Sequence, residues 1–183
     1  MRKDIEAQRI WFSADFHFLH TKIADICNRP ISTEEHDEWL LARINERVGK
    51  KDELYILGDV SMASKVRTEK ILHRMNGQKF LILGNHDRSI RNSTIFNSIW
   101  QRRNFNFTSL SYPNIHIVLD HYPLASWERK VHGAFHLHGH THARFDNTKN
   151  GLSFDIGVDN NNYYPLNLEE VMDRFTKISM NKF

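Results

Sequence analysis

The sequence predicts an α/β sandwich: two mixed β-sheets packed together with helices outside, an αββα order of layers. Three observations point there. Short apolar runs alternate with helix-period segments through the first half, in the order β, α, β, α, β. The second half replaces the helices with a hairpin and further short strands before one last helical segment. With 183 residues, 40% of them hydrophobic, the chain can fill one core, so a single domain over 1–183 is expected.

Ile10 to Phe16 is a short apolar run and reads as a buried strand. Thr33 to Val48 carries Trp39, Leu40, Ile44 and Val48 at helical spacing, with acidic residues early and Gly49 just past the end. Leu54 to Leu57 reads as a second strand, running into Gly58-Asp59-Val60. Val66 to Met75 reads as a helix stopped at Asn76-Gly77. Phe80 to Leu83 is a third strand, running into Gly84-Asn85-His86-Asp87. Phe105 to Leu110 and Ile115 to Leu119 flank Ser111-Tyr112-Pro113-Asn114 as a hairpin would. Ala134 to His138 and Leu152 to Val158 are two more strands. Asn167, with Glu170 three residues on, resembles a capping box opening a last helix.

Composition narrows the function classes. No apolar run approaches the ~18 residues of a membrane span. No apolar signal region follows Met1 to Glu6, so the expected setting is cytoplasmic, with no membrane partner. The single cysteine, Cys27, excludes a disulfide framework and a cysteine-based zinc site, and is expected to be a small buried hydrophobe. A net charge of +3 and a pI near 9.0 allow a phosphorylated or nucleic-acid partner without requiring one. The unusual count is histidine. There are 12, and His116, His121, His132, His136, His138, His140 and His142 fall within one short stretch. Histidine is the commonest metal ligand and the commonest general acid or base.

Polar residues collect after the predicted strands: Asp15 and His17, then Asp59, then Asn85, His86 and Asp87, then Asp120 and His121, then His140 and His142. Ligands of open α/β sheets bind outside those carboxyl ends. Asp15 and His17 are two residues apart, as are His140 and His142, so in extended chain each pair faces one side. Such pairs suit donors serving two metals about 3.5–4 Å apart. A dinuclear centre needs a bridging carboxylate, and Asp59 stands alone as the candidate. Nitrogen and oxygen donors without sulfur suit Mn, Fe, Zn or Ni.

Taken in order, Asp15-Phe16-His17, Gly58-Asp59, Gly84-Asn85-His86-Asp87, His121 and Gly139-His140-Thr141-His142 resemble the calcineurin-like metallophosphoesterase family over roughly residues 10 to 160. Trp11 to His17, and His121-Tyr122-Pro123-Leu124 followed by Trp127, are similar to its small, uncapped bacterial and phage members. The resemblance implies the family's fold and a hydrolysis of phosphate esters by attack of a metal-bridging hydroxide. One metal would take Asp15, His17, Asp59 and His142; the other Asp59, Asn85, His121 and His140. His86 matches the catalytic histidine, with Asp87 orienting it and Arg88 reaching the phosphate through its fork of donors. Manganese is the expected metal. Asp59 is followed by Val60-Ser61-Met62-Ala63 rather than the Asp-Arg extension of the protein phosphatases, and Asp87 stands where those have Glu. The substrate expected is therefore a phosphodiester or nucleotide. A phosphomonoester, a non-catalytic scaffold of this fold and a sequence-independent nucleic-acid binder are the alternatives.

Other residues carry weaker expectations. His20 and Arg29 line the cleft or pack a helix. His36 and His73 belong to solvated helix faces, and His116 is structural. His132, His136 and His138 support the site or fill the core. Arg102, Arg103, Phe105 and Phe107 form a nucleic-acid face or a hairpin with one buried side. Asp159 and Asn160 to Asn162 read as a polar turn. Substrate specificity is expected in the loops 18–32, 60–66 and 122–133.

Overall fold

The computed structural model describes residues 6–109 and 111–180. Leu110, the end of the first predicted hairpin strand, lies outside them, as do Met1 to Ile5. The first sheet takes β1 (Ile10–Ser13), β2 (Glu53–Ile56), β3 (Gln78–Ile82) and β4 (Ser98–Trp100), all parallel, and β9 (Leu166–Asn167), antiparallel to β1. Its order is β4-β3-β2-β1-β9. The second runs β5-β6-β7-β8. Its strands β5 (Arg102–Phe107) and β6 (Ile115–Asp120) make the predicted antiparallel hairpin, while β7 (Phe135–His138) and β8 (Ser153–Asp155) follow in parallel. Both sheets are therefore mixed, as expected.

Strand alternation builds two cores. Ile10, Phe12 and Tyr55 face the second sheet and meet Phe105, Ile117, Leu119, Leu137 and Phe154. Trp11, Leu54, Ile56 and Leu81 face the other way, onto α2 (His36–Arg47) and α3 (Lys65–Leu72). Leu40, Leu41 and Ile44 of α2 and Ile71 and Leu72 of α3 supply the apolar stripe. The last helix, α4 (Leu168–Met180), opens on the predicted capping box. Asn167 Oδ1 accepts the Glu170 N–H at 2.9 Å, and Glu170 Oε2 accepts the Asn167 N–H at 2.9 Å.

The layer order departs from αββα. Leu168, Val171 and Phe175 of α4 join the core between the sheets, where Phe175 stacks on Phe135 at 4.3 Å. The outer face of the second sheet is covered by loop: Trp127 packs on Val118 and Ala134 and donates its indole N–H to Ala134 O at 2.8 Å. Smaller elements also escape the sequence pattern, among them β4, β9 and the single-turn α1 (Ile23–Ile26). Among the described residues, no helix is long and apolar enough to cross a membrane.

Two expectations are corrected, those for His36 and His132, and one alternative is decided. His36 is buried at the start of α2, with Nε2 2.7 Å from Arg29 Nη1, whereas His73 is exposed as expected. His132 is exposed and belongs to neither the site nor the core. Phe105 is buried and Arg103 lies inward with it, its guanidinium 3.9 Å from the Trp100 ring, so the hairpin has one buried side.

His136 sits under Trp127, fully buried, donating Nδ1–H to Val118 O (2.9 Å) and accepting the Leu124 N–H on Nε2 (3.2 Å). Both nitrogens are satisfied in the neutral form, and burial pushes the imidazole down to about 4. The unfolded chain then binds a proton from about pH 6.5 downward that the folded chain refuses until about pH 4. Stability contributed above pH 6.5 is lost as the pH falls, by about 3 kcal/mol at pH 4. Urea unfolding of wild type and His136→Gln across this range checks it: the variant should lose that part of the slope. Parallel curves would refute the assignment.

Candidate metal centre

The strands end where the predicted donors begin. Asp15 N–H donates to Gly58 O (3.0 Å) and His17 N–H to Asp59 O (2.9 Å), so the turns after β1 and β2 are tied together. Ala14 bridges to Gly157, which brings the end of β8, in the other sheet, alongside. Gly139 N–H donates to His121 O (3.0 Å), aligning the turns after β6 and β7. Glycine is required where these turns touch. A Cβ on Gly139 would stand 2.6 Å from Asp15 Oδ2, and one on Gly84 would collide with Asp59 Oδ1.

Asp15, His17 and His142 form one donor group; Asp59, His121 and His140 form a second, with ligand atoms within 4.8 Å of one another in each. Asp59 Oδ2 lies 3.6 Å from His17 Nε2 and 3.5 Å from His121 Nε2, so one carboxylate oxygen stands between the groups. Asn85 Oδ1 joins the second group, 3.0 Å from His121 Nε2. His121 donates Nδ1–H to Leu57 O at 2.8 Å, which leaves Nε2 as the bare nitrogen facing inward.

The route to this convergence differs from the expected one. Asp15 (φ 61°), His17 (φ 51°), His140 (φ 73°) and His142 (φ 48°) are all left-handed rather than extended, as are Asp59 (φ 54°) and Leu19 (φ 60°). Equal facing along an extended strand is not what aligns each pair. Tight turns do it, at a backbone cost that surrounding bonds must hold.

The residues fit divalent cations. Both ring nitrogens of His17 are buried without a hydrogen-bond partner, a costly state for a group that would ligate a metal. Burial pushes its imidazole down to about 2, aided by His142, Arg29, His86 and His20, so it stays neutral and able to ligate. Burial raises the Asp15 carboxyl well above its usual range, and the charges of Asp155 and Asp59 raise it further. Carboxylates confined together in this way are those a cation relieves.

The expected catalytic residues are beside these groups. His86 is exposed, its ring 5.4 Å from that of His17 and its Nε2 3.9 Å from Asp59 Oδ2. Asp87 does not orient it. Its buried carboxylate accepts the N–H groups of Asp59 (2.9 Å), Val60 (2.8 Å) and Gly84 (2.8 Å), holding the loops that carry Asp59 and Asn85. Burial pushes this carboxyl up to about 6. Arg88 is exposed, next to His86 in the chain.

Several neighbours have contacts at the site that the sequence reading did not assign. Asp159, read as part of a polar turn, accepts His142 Nδ1–H at 2.7 Å. Arg29 does not line the cleft; it is buried against the carbonyls of Asp15 and Phe16. Cys27 is half-buried, with Sγ 3.4 Å from His142 Nδ1, so Cys27, His142 and Asp159 form a donor group that the exclusion of cysteine ligands did not foresee. Asp155 holds the His140–His142 turn through Thr141 Oγ1 (2.5 Å) and Ala143 N (3.3 Å). Tyr122 leans its ring on His121 (4.9 Å) and His140 (4.7 Å) while staying exposed. The signal for Tyr122 was its place beside His121. The others had none, because their partners are distant in the chain.

Fold and site together define a mixed two-sheet α/β protein with two adjoining groups of candidate metal donors. No family model matches the chain. It is 30% identical to the Gene 66 protein of Mycobacterium phage D29, covering 82% of this chain and 87% of that protein. It is also 30% identical to the uncharacterized protein MJ1445 of Methanocaldococcus jannaschii, covering 93% of both. The chain belongs to the family of these two proteins. Among solved structures it resembles the protein of unknown function AQ665 from Aquifex aeolicus, at 20% identity and a TM-score of 0.65 over 90% of this chain and 97% of that one. That likeness shows a shared fold.

Proposed function

We propose that the protein is a dinuclear-metal-dependent phosphoesterase of the calcineurin-like metallophosphoesterase kind, acting on phosphodiesters or nucleotides. The observation that carries the reading is Asp59 Oδ2, placed 3.6 and 3.5 Å from one histidine nitrogen of each donor group. Asp15, His17, Asp59 and His142 would hold one cation, and Asp59, Asn85, His121 and His140 the other. When bound, two divalent cations supply the positive charge that draws in a phosphate ester and the acidity that makes water a nucleophile near neutral pH.

The chain's own groups do the rest. His86 donates a proton to the leaving oxygen from the open side of the site. Asp87 keeps the Asp59 and Asn85 loops at fixed separation through its three N–H bonds. Arg88 offers a planar fork to a phosphate oxygen. A nucleotide diester expels an alkoxide and needs the proton from His86 more than an aryl ester does. The segment Val60 to Ala63 and the residue Asp87 also depart from the phosphoprotein phosphatase pattern.

The test is a panel of bis-aryl or nucleotide diesters against the matching monoester, with metal-stripped protein reloaded in turn with Mn²⁺, Fe²⁺, Zn²⁺ and Ni²⁺. Higher kcat/KM on the diester is expected, with Mn²⁺ the best activator. A tenfold preference for the monoester, about 1.4 kcal/mol of transition-state binding, would install a phosphomonoesterase instead. No turnover of either ester in metal-loaded protein would favour a non-catalytic scaffold.

A further inference from the structure

The geometry points to Arg29 and Asp159 as a positioning pair for the metal centre: Asp159 sets the ring of His142, and Arg29 ties Asp159 to the turn that presents Asp15 and His17. The assignment rests on reading that centre as a cation site.

The two residues are 130 apart in the chain yet meet through two parallel bonds, Arg29 Nε to Asp159 Oδ1 and Nη2 to Oδ2, each 2.8 Å. Their side chains are 0% and 5% exposed, so neither is placed to meet a substrate. The guanidinium has donors left over. Nη2 also donates to Asp15 O (2.8 Å) and Nη1 to Phe16 O (3.0 Å). Only a planar fork can serve both carboxylate oxygens and two carbonyls at once; an ammonium at the end of a lysine cannot.

Each end of this network stops at a candidate donor. Asp159 Oδ2 accepts His142 Nδ1–H at 2.7 Å, which holds the ring so that Nε2 is the nitrogen left to face a cation. Cys27 Sγ is near the same nitrogen at 3.4 Å, but the carboxylate is closer and charged. On the other side, the anchored carbonyls belong to the turn whose Asp15 and His17 are left-handed, a conformation that non-glycine residues keep only when held. The clamp reaches the far end of that turn too. Arg29 Nη1 is 2.7 Å from His36 Nε2, and His36 Nδ1 is 3.0 Å from Asp37 Oδ1. The Asp37 carboxylate accepts the N–H of Leu19 at 3.0 Å, where φ is 60°.

Purified full-length wild type, Asp159→Asn and Arg29→Lys are compared by Mn²⁺ competition titration and by ¹⁵N NMR of the His142 ring. Arg47→Met serves as the control, because it breaks a different ion pair, Arg47 with Glu170. Asp159→Asn should weaken Mn²⁺ binding ~10–100-fold and abolish the fixed Nδ1–H signature of His142, while Arg47→Met changes neither. Undiminished Mn²⁺ affinity, or an unaltered His142 signature, in folded Asp159→Asn overturns the proposal. Should Asp159→Asn fail to fold, Arg29→Lys, which keeps the charge and loses the fork, is read by the same two criteria. If wild type takes up no Mn²⁺, it is the cation reading that fails. The His142 signature then decides the positioning role alone.

Discussion

Replacing Asp59 with asparagine is expected to lower kcat/KM by about 10³-fold or more and to release bound cations. The size follows from the place of one atom. Asp59 Oδ2 faces His17 and His121 together, so losing its charge weakens both donor groups at once. The substitution is also gentle. Asp59 is left-handed at φ 54°, a conformation asparagine adopts more readily than other non-glycine residues. Oδ1 accepts the His86 N–H at 2.9 Å, a bond an amide oxygen can still make. Compared metal-free, the variant should therefore keep the wild-type thermal midpoint, and under metal-loading conditions it should lose cations, turnover and the stability those cations add. Elemental analysis showing two tightly held cations with normal activity would end the bridging assignment.

His86→Ala is expected to keep the fold and the cations and to lose ~10²–10⁴-fold in kcat, the usual weight of a general acid. The His86 ring is exposed, so removing it opens no cavity. It lies 5.4 Å from the His17 ring, within the site but outside both donor groups. The loss should shrink as the leaving group becomes more acidic, because a good leaving group needs little protonation. A leaving-group series on wild type and variant measures this. Equal losses across the series would mean that His86 steadies the transition state without donating a proton.

Much of this site was legible because strand ends are legible. Apolar runs ending in Asp15, Asp59, Asn85, His121 and His140 are a local pattern, and parallel strands bring their carboxyl ends together. The capping box at Asn167 and Glu170 was legible for the same reason: its two partners are three residues apart. What stayed hidden was set by tertiary contact. Strands β4 and β9 and helix α1 are too short to show a period. His36 carries a polar label and sits at a helix start, yet Arg29 draws it inward. Asp159 looks like a turn residue until Arg29 and His142 are brought to it. The left-handed turns leave no mark either, since aspartate and histidine are common on any surface.

The donors come from both sheets: Asp15, His17, Asp59 and Asn85 follow strands of the first, and His121, His140 and His142 follow strands of the second. Cations bound there would act as rivets across the seam. Unfolding scatters the donors along the chain, so such cations bind the folded state almost alone. Their occupancy adds to folding stability, by about 2.7 kcal/mol per site at a free concentration of 100 times Kd. The seam also works as a gauge: a slip of one sheet against the other would pull Asp59 away from His121 and leave the centre open before the cores beneath it parted.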